Sequence, residues 1–192
     1  MLLFAFEREP QDGMTEIATP RSGADMAGTT APEGLHIFVD GCFEPKSRQG
    51  GWAFVACRDG VEIASGFGGV ENSANNAMES MAVLKAIAWL DSRAAGEPAI
   101  IWSDSLHAVN GCNNWRHIWK RNGWKKIDPN QKARRRTIAD LEIWEAIDSR
   151  LSQNRLLTIA WCKGHSGNGG NERADQLAAL GRLSIGASIR SL

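Results

Sequence analysis

The sequence lacks several features that would place a chain in a functional class at once. Its 192 residues carry no net charge, because 22 basic side chains balance 22 acidic ones, so the overall charge predicts no polyanionic partner. No stretch approaches eighteen consecutive apolar residues, and we therefore expect no membrane span. The apolar segment Met1–Phe6 is too short for the core of a signal peptide and is followed by charged residues. No internal repeat is present.

Cysteine is also scarce, and its spacing excludes a familiar type of site. None of the four cysteines forms a Cys-x-x-Cys pair, so a structural zinc site is not expected. We interpret them as reduced thiols, mostly in the core, of a cytoplasmic protein. The four are Cys42, Cys57, Cys112 and Cys162.

The length corresponds to one domain with an appended tail. Residues 1–34 hold two basic and six acidic side chains among Gly, Thr, Ala and Pro, without periodicity. This composition predicts a disordered N-terminal extension, and a targeting or partner-binding tail is the alternative. We expect the folded domain at residues 35–182 and a C-terminal tail at residues 183–192.

Hydrophobic periodicity predicts an α/β fold. Three strands joined by short turns, at residues 35–42, 51–57 and 61–67, form an antiparallel meander. A helix is predicted over Asn75–Arg93, since Val83, Ile87 and Leu90 follow the helical period. A strand at Ala99–Ser103 must lie parallel to the first, because a helix separates them. A helix at 137–151, a strand at 156–162 and a helix at 171–181 complete a five-stranded mixed sheet, three strands antiparallel and two parallel, flanked by helices.

Three carboxylates are predicted to meet at one edge of this sheet. Asp40 and Asp104 each end an apolar strand, and parallel strands bring such ends to the edge where open α/β sheets bind ligands. Glu79 lies one helical turn before Val83 and shares its apolar face, so its side chain points toward the sheet. The alternatives are that Asp104 caps a helix beginning at Ser105 and that Glu79 complements the helix dipole.

Basic residues cluster between Trp115 and Arg136, where nine cations accompany a single acid, Asp128. Cations interleaved with aromatic rings suit a nucleic-acid surface. Alternatively, Trp115 and Trp119, four residues apart, form the core-facing side of a helix. We expect both, with each ring packed in part and the cations facing outward.

Four motifs in order give the sequence a family resemblance. They are the strand ending in Asp40-Gly41, Asn75-Asn76-Ala77-Met78-Glu79, the strand ending in Asp104-Ser105, and Lys163-Gly164-His165-Ser166-Gly167 followed by Asn171-Glu172-Arg173-Ala174-Asp175. Together they resemble the ribonuclease HI family, whose members cut the RNA strand of RNA–DNA hybrids. The resemblance extends from about Leu35 to Gly181 and includes the basic segment, which is similar to a protrusion that grips the hybrid.

The resemblance implies a two-metal phosphodiesterase site. Asp40, Glu79, Asp104 and Asp175 would hold two Mg²⁺ ions, with Mn²⁺ as a substitute, and Asp40 would bridge them. Without metal these carboxylates would repel one another, which raises their pKa values. His165 would assist proton transfer or product release. The resemblance leaves Glu172 open between a transient metal ligand and a first-turn helix acid.

Substrate contacts are implied by the same resemblance. The amides of Asn75 and Asn76 would meet the minor groove and its 2′-hydroxyls. The other expected contacts are Lys46, Trp115, Trp119, Lys120, Arg121, Lys125 and Lys126. The sequence departs from the family pattern at three positions, where Cys42 replaces serine, Lys46 asparagine and Ala74 threonine.

The function implied is metal-dependent endonucleolytic hydrolysis of the RNA strand of RNA–DNA hybrids by a monomer. A DNA-directed nuclease or recombinase and a non-catalytic nucleic-acid-binding module are the alternatives on the same fold. Loss of a carboxylate would have indicated the binding module, and all four are present.

Overall fold

The computed structural model describes residues 33–126 and 137–188. Three of the sequence predictions therefore lie wholly or partly outside the described residues. These are the N-terminal extension up to residue 32, the part of the basic cluster at residues 127–136, and the last four residues of the C-terminal tail.

A five-stranded sheet with strand order β3-β2-β1-β4-β5 forms the centre of the fold. The strands are β1 (Leu35–Glu44), β2 (Gln49–Arg58), β3 (Val61–Val70), β4 (Ala99–Ser103) and β5 (Leu157–Trp161). The first three are antiparallel, whereas β4 is parallel to β1 and β5 to β4. The predicted mixed sheet is thus confirmed. β3 continues past its predicted end because Gly68 and Gly69, poor strand formers, still pair with β2.

Five α-helices flank the sheet within the described residues. They are α1 (Asn75–Arg93), α2 (Leu106–Asn110), α3 (Arg116–Arg121), α4 (Leu141–Gln153) and α5 (Gly169–Ser188), with a π-helical turn at Gly111–Trp115 between α2 and α3. The bounds of α1 are those predicted. None of these helices is long and apolar enough to cross a bilayer.

Two helix boundaries were predicted wrongly, each for a local reason. α4 begins at Leu141 rather than Thr137, because Asp140 adopts a left-handed conformation with φ of 55°. α5 does not end at Gly181 but continues to Ser188. A Cβ atom at Gly181 would collide with the backbone of Gly68, so the glycine allows close packing of α5 on β3 and does not terminate the helix.

The sheet buries both of its faces, because side chains alternate along each strand. On one face Leu35, Ile37 and Val39 of β1 belong to the main core, together with residues of α1 and α4. On the other face Phe38 packs with Ala174 and neighbouring residues of α5. The strand β1 is therefore covered on both sides, and its C-terminal half lies between α1 and α5.

Candidate active site

The two strand-end aspartates meet at one edge of the sheet, as the parallel arrangement predicts. Val39 of β1 pairs with Ser103 of β4, so Asp40 and Asp104 follow at the same level. Asp40 is buried, with 7% of its surface exposed. The alternative role of Asp104 as a helix cap is wrong, because the side chain of Ser105 caps α2 by accepting a hydrogen bond from the Ala108 amide at 3.3 Å.

Glu79 reaches the same edge because α1 lies unusually close to β1. A Cβ atom at Gly41 would collide with the backbone of Met78 and Glu79, so only glycine lets the helix approach the strand at this point. Glu79 is 6% exposed. It is not in the first turn of α1, which contains no acid, and the alternative helix-dipole role is therefore not supported.

The three side chains form a compact cluster of carboxylates. One oxygen each from Asp40, Glu79 and Asp104 lies within 4.8 Å of the others. Oδ1 of Asp40 accepts a hydrogen bond from the Gly41 amide at 2.8 Å, but Oε2 of Glu79 is buried without a hydrogen-bond partner. Such an oxygen is costly to bury unless a ligand satisfies it. A hard divalent cation, which prefers oxygen ligands, fits this donor set.

Burial and the charge of neighbouring carboxylates raise the pKa values of two members of the cluster, Asp40 and Glu79. Burial, followed by the charge of Asp104, raises the pKa of Asp40 from 3.8 to about 7. Burial, followed by the charges of Asp40 and Asp104, raises the pKa of Glu79 from 4.5 to about 9. The cluster therefore retains protons near neutral pH that a bound cation would displace.

Asp175 approaches the cluster from the other side of the sheet, on α5. Its charge and a side-chain hydrogen bond both raise the pKa of Asp40, which places it beside that carboxylate. Within the described residues the group with metal-ligand spacing contains only Asp40, Glu79 and Asp104. The structure thus brings Asp175 to Asp40 but not into the compact cluster.

The sequence interpretation missed the part that Asn171 takes in holding Asp104. Asn171 is 1% exposed. Its Nδ2 donates to Oδ2 of Asp104 at 3.2 Å, and its Oδ1 accepts from the thiol of Cys162 at 3.4 Å. A Cβ atom at Gly164 would also collide with Oδ2 of Asp104. The only signal in the sequence was the position of Asn171, one helical turn before Asp175.

Comparison with known proteins agrees with this geometry. The family model described as RNase H matches residues 32–182. The chain belongs to the RNase H family. It is 36% identical over 152 residues to a ribonuclease H of Dechloromonas aromatica (strain RCB), covering 79% of this chain and 95% of that relative.

Solved structures of the RNase H family and of viral enzymes share the fold. The crystal structure of LC9-RNase H1, described as a type 1 RNase H with the type 2 active-site motif, superposes with a TM-score of 0.65 at 20% identity, covering 81% of this chain and 75% of that one. The foamy viral protease-reverse transcriptase in complex with RNA/DNA hybrid gives a TM-score of 0.66 at 18% identity, covering 86% of this chain and 22% of the viral one.

In this member of the RNase H family, His165 lies in an exposed loop after β5. Its backbone is left-handed, with φ of 48°, and its ring makes no hydrogen bond to another described residue. Glu172 accepts a hydrogen bond from the Gly167 amide at 3.1 Å. Glu172 therefore ties the histidine loop to the first turn of α5, and it is not part of the carboxylate cluster.

Three of the residues expected to bind substrate, Asn75, Asn76 and Lys46, lie in or beside the segment that leads into α1. Asn75 and Asn76 are exposed as the first two residues of that helix. Lys46 lies in the exposed turn between β1 and β2. The amide of Ser73 donates to the carbonyl of Arg48 at 2.9 Å, which holds this turn against the segment preceding α1.

The described part of the basic segment divides into packed and exposed side chains. Trp115 and Trp119 are partly buried, with ring centroids 5.8 Å apart, as predicted. The expectation that all cations face outward is wrong for Arg116, whose side chain is 11% exposed and pairs with Asp148 of α4. Lys120 pairs with the same carboxylate although its side chain is 55% exposed. The remaining described cations are exposed and are Arg121, Lys125 and Lys126.

Proposed function

We propose that this chain is an endonuclease that hydrolyses the RNA strand of RNA–DNA hybrids, using Mg²⁺ held by Asp40, Glu79, Asp104 and Asp175. Membership of the RNase H family supports the reaction. The carboxylate cluster, with its unpartnered Glu79 oxygen, is the observation that supports the metal requirement. Bound divalent ions supply an activated water and stabilise the charge that develops at phosphorus and on the leaving oxygen.

The protein groups act by orienting these ligands and moving a proton. The Gly41 amide holds Oδ1 of Asp40 at 2.8 Å, which suits the proposed bridging role of that residue. Glu79 and Asp104 would hold one ion, and Asp175, which interacts with Asp40, would help to hold the second. A ring nitrogen of His165, on its exposed loop, accepts or delivers a proton during the reaction.

Recognition of the hybrid follows from the exposed groups around α1 and α3. The amides of Asn75 and Asn76 lie four and three residues from Glu79 along α1, close enough to contact the sugar edge next to the reacting phosphate. The charge of Lys46 on the adjoining turn replaces the polar contacts that Ala74 does not provide. Phosphate and sugar contacts of this kind carry no base information, so we propose cleavage without strong sequence preference.

We further propose that the protein acts as a monomer in the cytoplasm. Its four cysteines are free thiols, which is consistent with a reducing compartment. The N-terminal residues 1–34 are proposed to be an extension outside the catalytic domain.

One cleavage assay tests the proposal directly. Labelled RNA–DNA hybrid, duplex RNA and duplex DNA of the same sequence are incubated with the protein in Mg²⁺ and in chelator. We expect cleavage of the RNA strand of the hybrid alone, and only with metal. Cleavage of duplex DNA would favour a DNA-directed nuclease, and binding of the hybrid without cleavage would favour a non-catalytic module.

A further inference from the structure

The basic segment is fixed to the body of the protein through one face of α3. Arg116, Trp119 and Lys120 are spaced i, i+3 and i+4, so they share that face. The ring of Trp119 meets the buried ring of Trp144 edge to face, with centroids 5.4 Å apart. A Cβ atom at Gly111 would collide with the same indole, which shows how closely the chain before α3 packs on α4.

A buried carboxylate lies at the polar end of this contact. Asp148 of α4 is 3% exposed. Its Oδ1 accepts from Nη1 of Arg116 at 2.6 Å and its Oδ2 from Nζ of Lys120 at 2.7 Å, so both oxygens are paired. Burial alone would raise its pKa, but the hydrogen bonds from Lys120 and Arg116 hold the pKa of Asp148 below its ordinary value.

The other cations in the described part of the segment, up to Lys126, have no such partner. Throughout the described ranges, Arg121, Lys125 and Lys126 form no ion pair. Arg121 is adjacent to Lys120 on α3, but its Nε donates to the His117 carbonyl of its own helix at 3.2 Å. The neighbouring cations Lys120 and Arg121 are therefore in different electrostatic states, because Lys120 is paired with a buried carboxylate and Arg121 is not.

We propose that Asp148 is a positioning residue that divides the described cations of the basic segment into two groups. Arg116 and Lys120 anchor the segment to α4, whereas Arg121, Lys125 and Lys126 are the cations that contact the phosphates of the hybrid. This inference rests on the proposed function, because it takes the hybrid as the ligand. It also changes the expectation from sequence, in which Lys120 was counted among the phosphate contacts.

The physical basis of the division is the number of counterions that each cation releases when it contacts a phosphate. A solvated cation that meets a phosphate releases condensed counterions, and this release sets the salt dependence of binding. Nζ of Lys120 is already paired with Oδ2 of Asp148 at 2.7 Å. To meet a phosphate, Lys120 would have to give up this pair and leave the buried carboxylate with Arg116 as its only cation. Lys120 is therefore expected to contribute little to the salt slope, although about half of its side chain, 55%, is exposed.

The matched pair Lys120→Gln and Arg121→Gln tests the division. Each variant removes one positive charge from adjacent positions of α3. The dissociation constant for a hybrid is measured in chelator, which prevents cleavage, across a salt series. We expect Arg121→Gln to weaken binding and to reduce the magnitude of the salt slope by about 0.7–0.9, and Lys120→Gln to leave the slope unchanged. Equal changes in slope for the two variants would overturn the proposal.

Asp148→Asn tests the anchoring role in the cleavage reaction with Mg²⁺. We expect KM for the hybrid to rise while kcat stays that of the parent, because α3 is displaced but the carboxylate cluster is not. Asp148→Glu retains the charge and should recover part of the lost affinity. An unchanged KM and melting temperature for Asp148→Asn would contradict the role. If that variant does not fold, the Lys120 and Arg121 pair decides the question alone.

Hybrid cleavage by the parent protein distinguishes a failure of this inference from a failure of the proposed function. A parent that does not cleave hybrids refutes the proposed function. A parent that cleaves hybrids, with salt slopes that do not distinguish Lys120 from Arg121, refutes the division of the basic segment and leaves the proposed function standing.

Discussion

The carboxylate cluster and the basic segment both concentrate charge of one sign, but they compensate it differently. Within the described residues no basic side chain forms an ion pair with Asp40, Glu79 or Asp104. In the basic segment, by contrast, buried Asp148 pairs with both Arg116 and Lys120. The negative charge is left without a cationic partner where we propose that a metal ion binds, whereas the positive charge of the basic segment is partly compensated by a buried carboxylate that holds α3 to α4.

This comparison predicts opposite responses to the same chemical change at two buried aspartates. Asp40→Asn should lower the hybrid cleavage rate by about 10⁴-fold, since metal ions contribute several kcal/mol of transition-state stabilisation. It should also raise the melting temperature of the metal-free protein, because it removes like-charge repulsion from the cluster. Single-turnover cleavage and thermal melting in chelator measure the two effects.

Asp148→Asn is the control for that change and should lower the melting temperature instead. It weakens hydrogen bonds to charged groups worth about 1.5–3 kcal/mol, a loss on the order of 5 °C for a chain of this size. If both variants shifted the melting temperature in the same direction, the contrast between an uncompensated and a compensated cluster would be wrong.

His165→Ala should slow cleavage by about 10²-fold, the lower end of the range for general acid–base catalysis. Within the described residues the ring forms no hydrogen bond or ion pair with Asp40, Glu79, Asp104 or Asp175, so Mg²⁺ affinity and melting temperature should stay those of the parent. The measurements are single-turnover rates, which report proton transfer, and steady-state rates, which include product release. A normal single-turnover rate with weakened hybrid binding would make His165 a binding residue.

Asn171→Leu should weaken Mg²⁺ binding by about 10–100-fold, the usual effect of removing a group that orients a metal ligand. The substitution removes the amide that donates to Asp104 at 3.2 Å, and Asp104 is then free to rotate. Calorimetric titration of the free protein with Mg²⁺ gives the affinity without reference to activity.

Cys162→Ala is the matched control for Asn171, because it removes the thiol contact to Asn171 and leaves the amide donor to Asp104 intact. Its Mg²⁺ affinity should remain close to that of the parent. Equal losses of Mg²⁺ affinity in the two variants would mean that Asn171 supports Asp104 through packing and not through its hydrogen bond.

The smallest predicted effect is a dependence of metal-free stability on pH. The folded protein raises the pKa of Asp40 from 3.8 to about 7 and that of Glu79 from 4.5 to about 9. Between the unfolded and folded pKa values the native state holds protons that the unfolded chain has released, so the free energy of unfolding falls as pH rises. The stabilising contribution of these two groups to the free energy of unfolding is complete below about pH 4. It is lost as the pH rises toward about 7 for Asp40 and about 9 for Glu79.

Melting curves in chelator at several pH values between 5 and 9 would show this fall, and Asp40→Asn should flatten it. Saturating Mg²⁺ should reduce the slope, because the ion stabilises the ionised carboxylates of the native state. A metal-free stability that rises over this interval in the parent, but not in Asp40→Asn, would contradict the raised pKa values.

The sequence by itself determined the position of the site and the ligand chemistry expected there. Asp40 and Asp104 end apolar strands that must be parallel, and Glu79 follows the apolar period of α1. The meeting of these three side chains could therefore be predicted from the sequence pattern. The bounds of α1 and β4 were also predictable, since local periodicity and flanking breakers define them. The motif order was sufficient to indicate the family to which the chain belongs.

The tertiary structure decided the contacts between side chains that lie far apart in the sequence. Asn171 meets Asp104 and Asp148 meets Arg116 across packed elements, and periodicity shows which face is buried but not which partner it meets there. Packing also decided that Gly181 lies within α5 and that Lys120 is paired. Local sequence encodes the elements and their buried faces, whereas the pairing of polar groups depends on how those faces fit together.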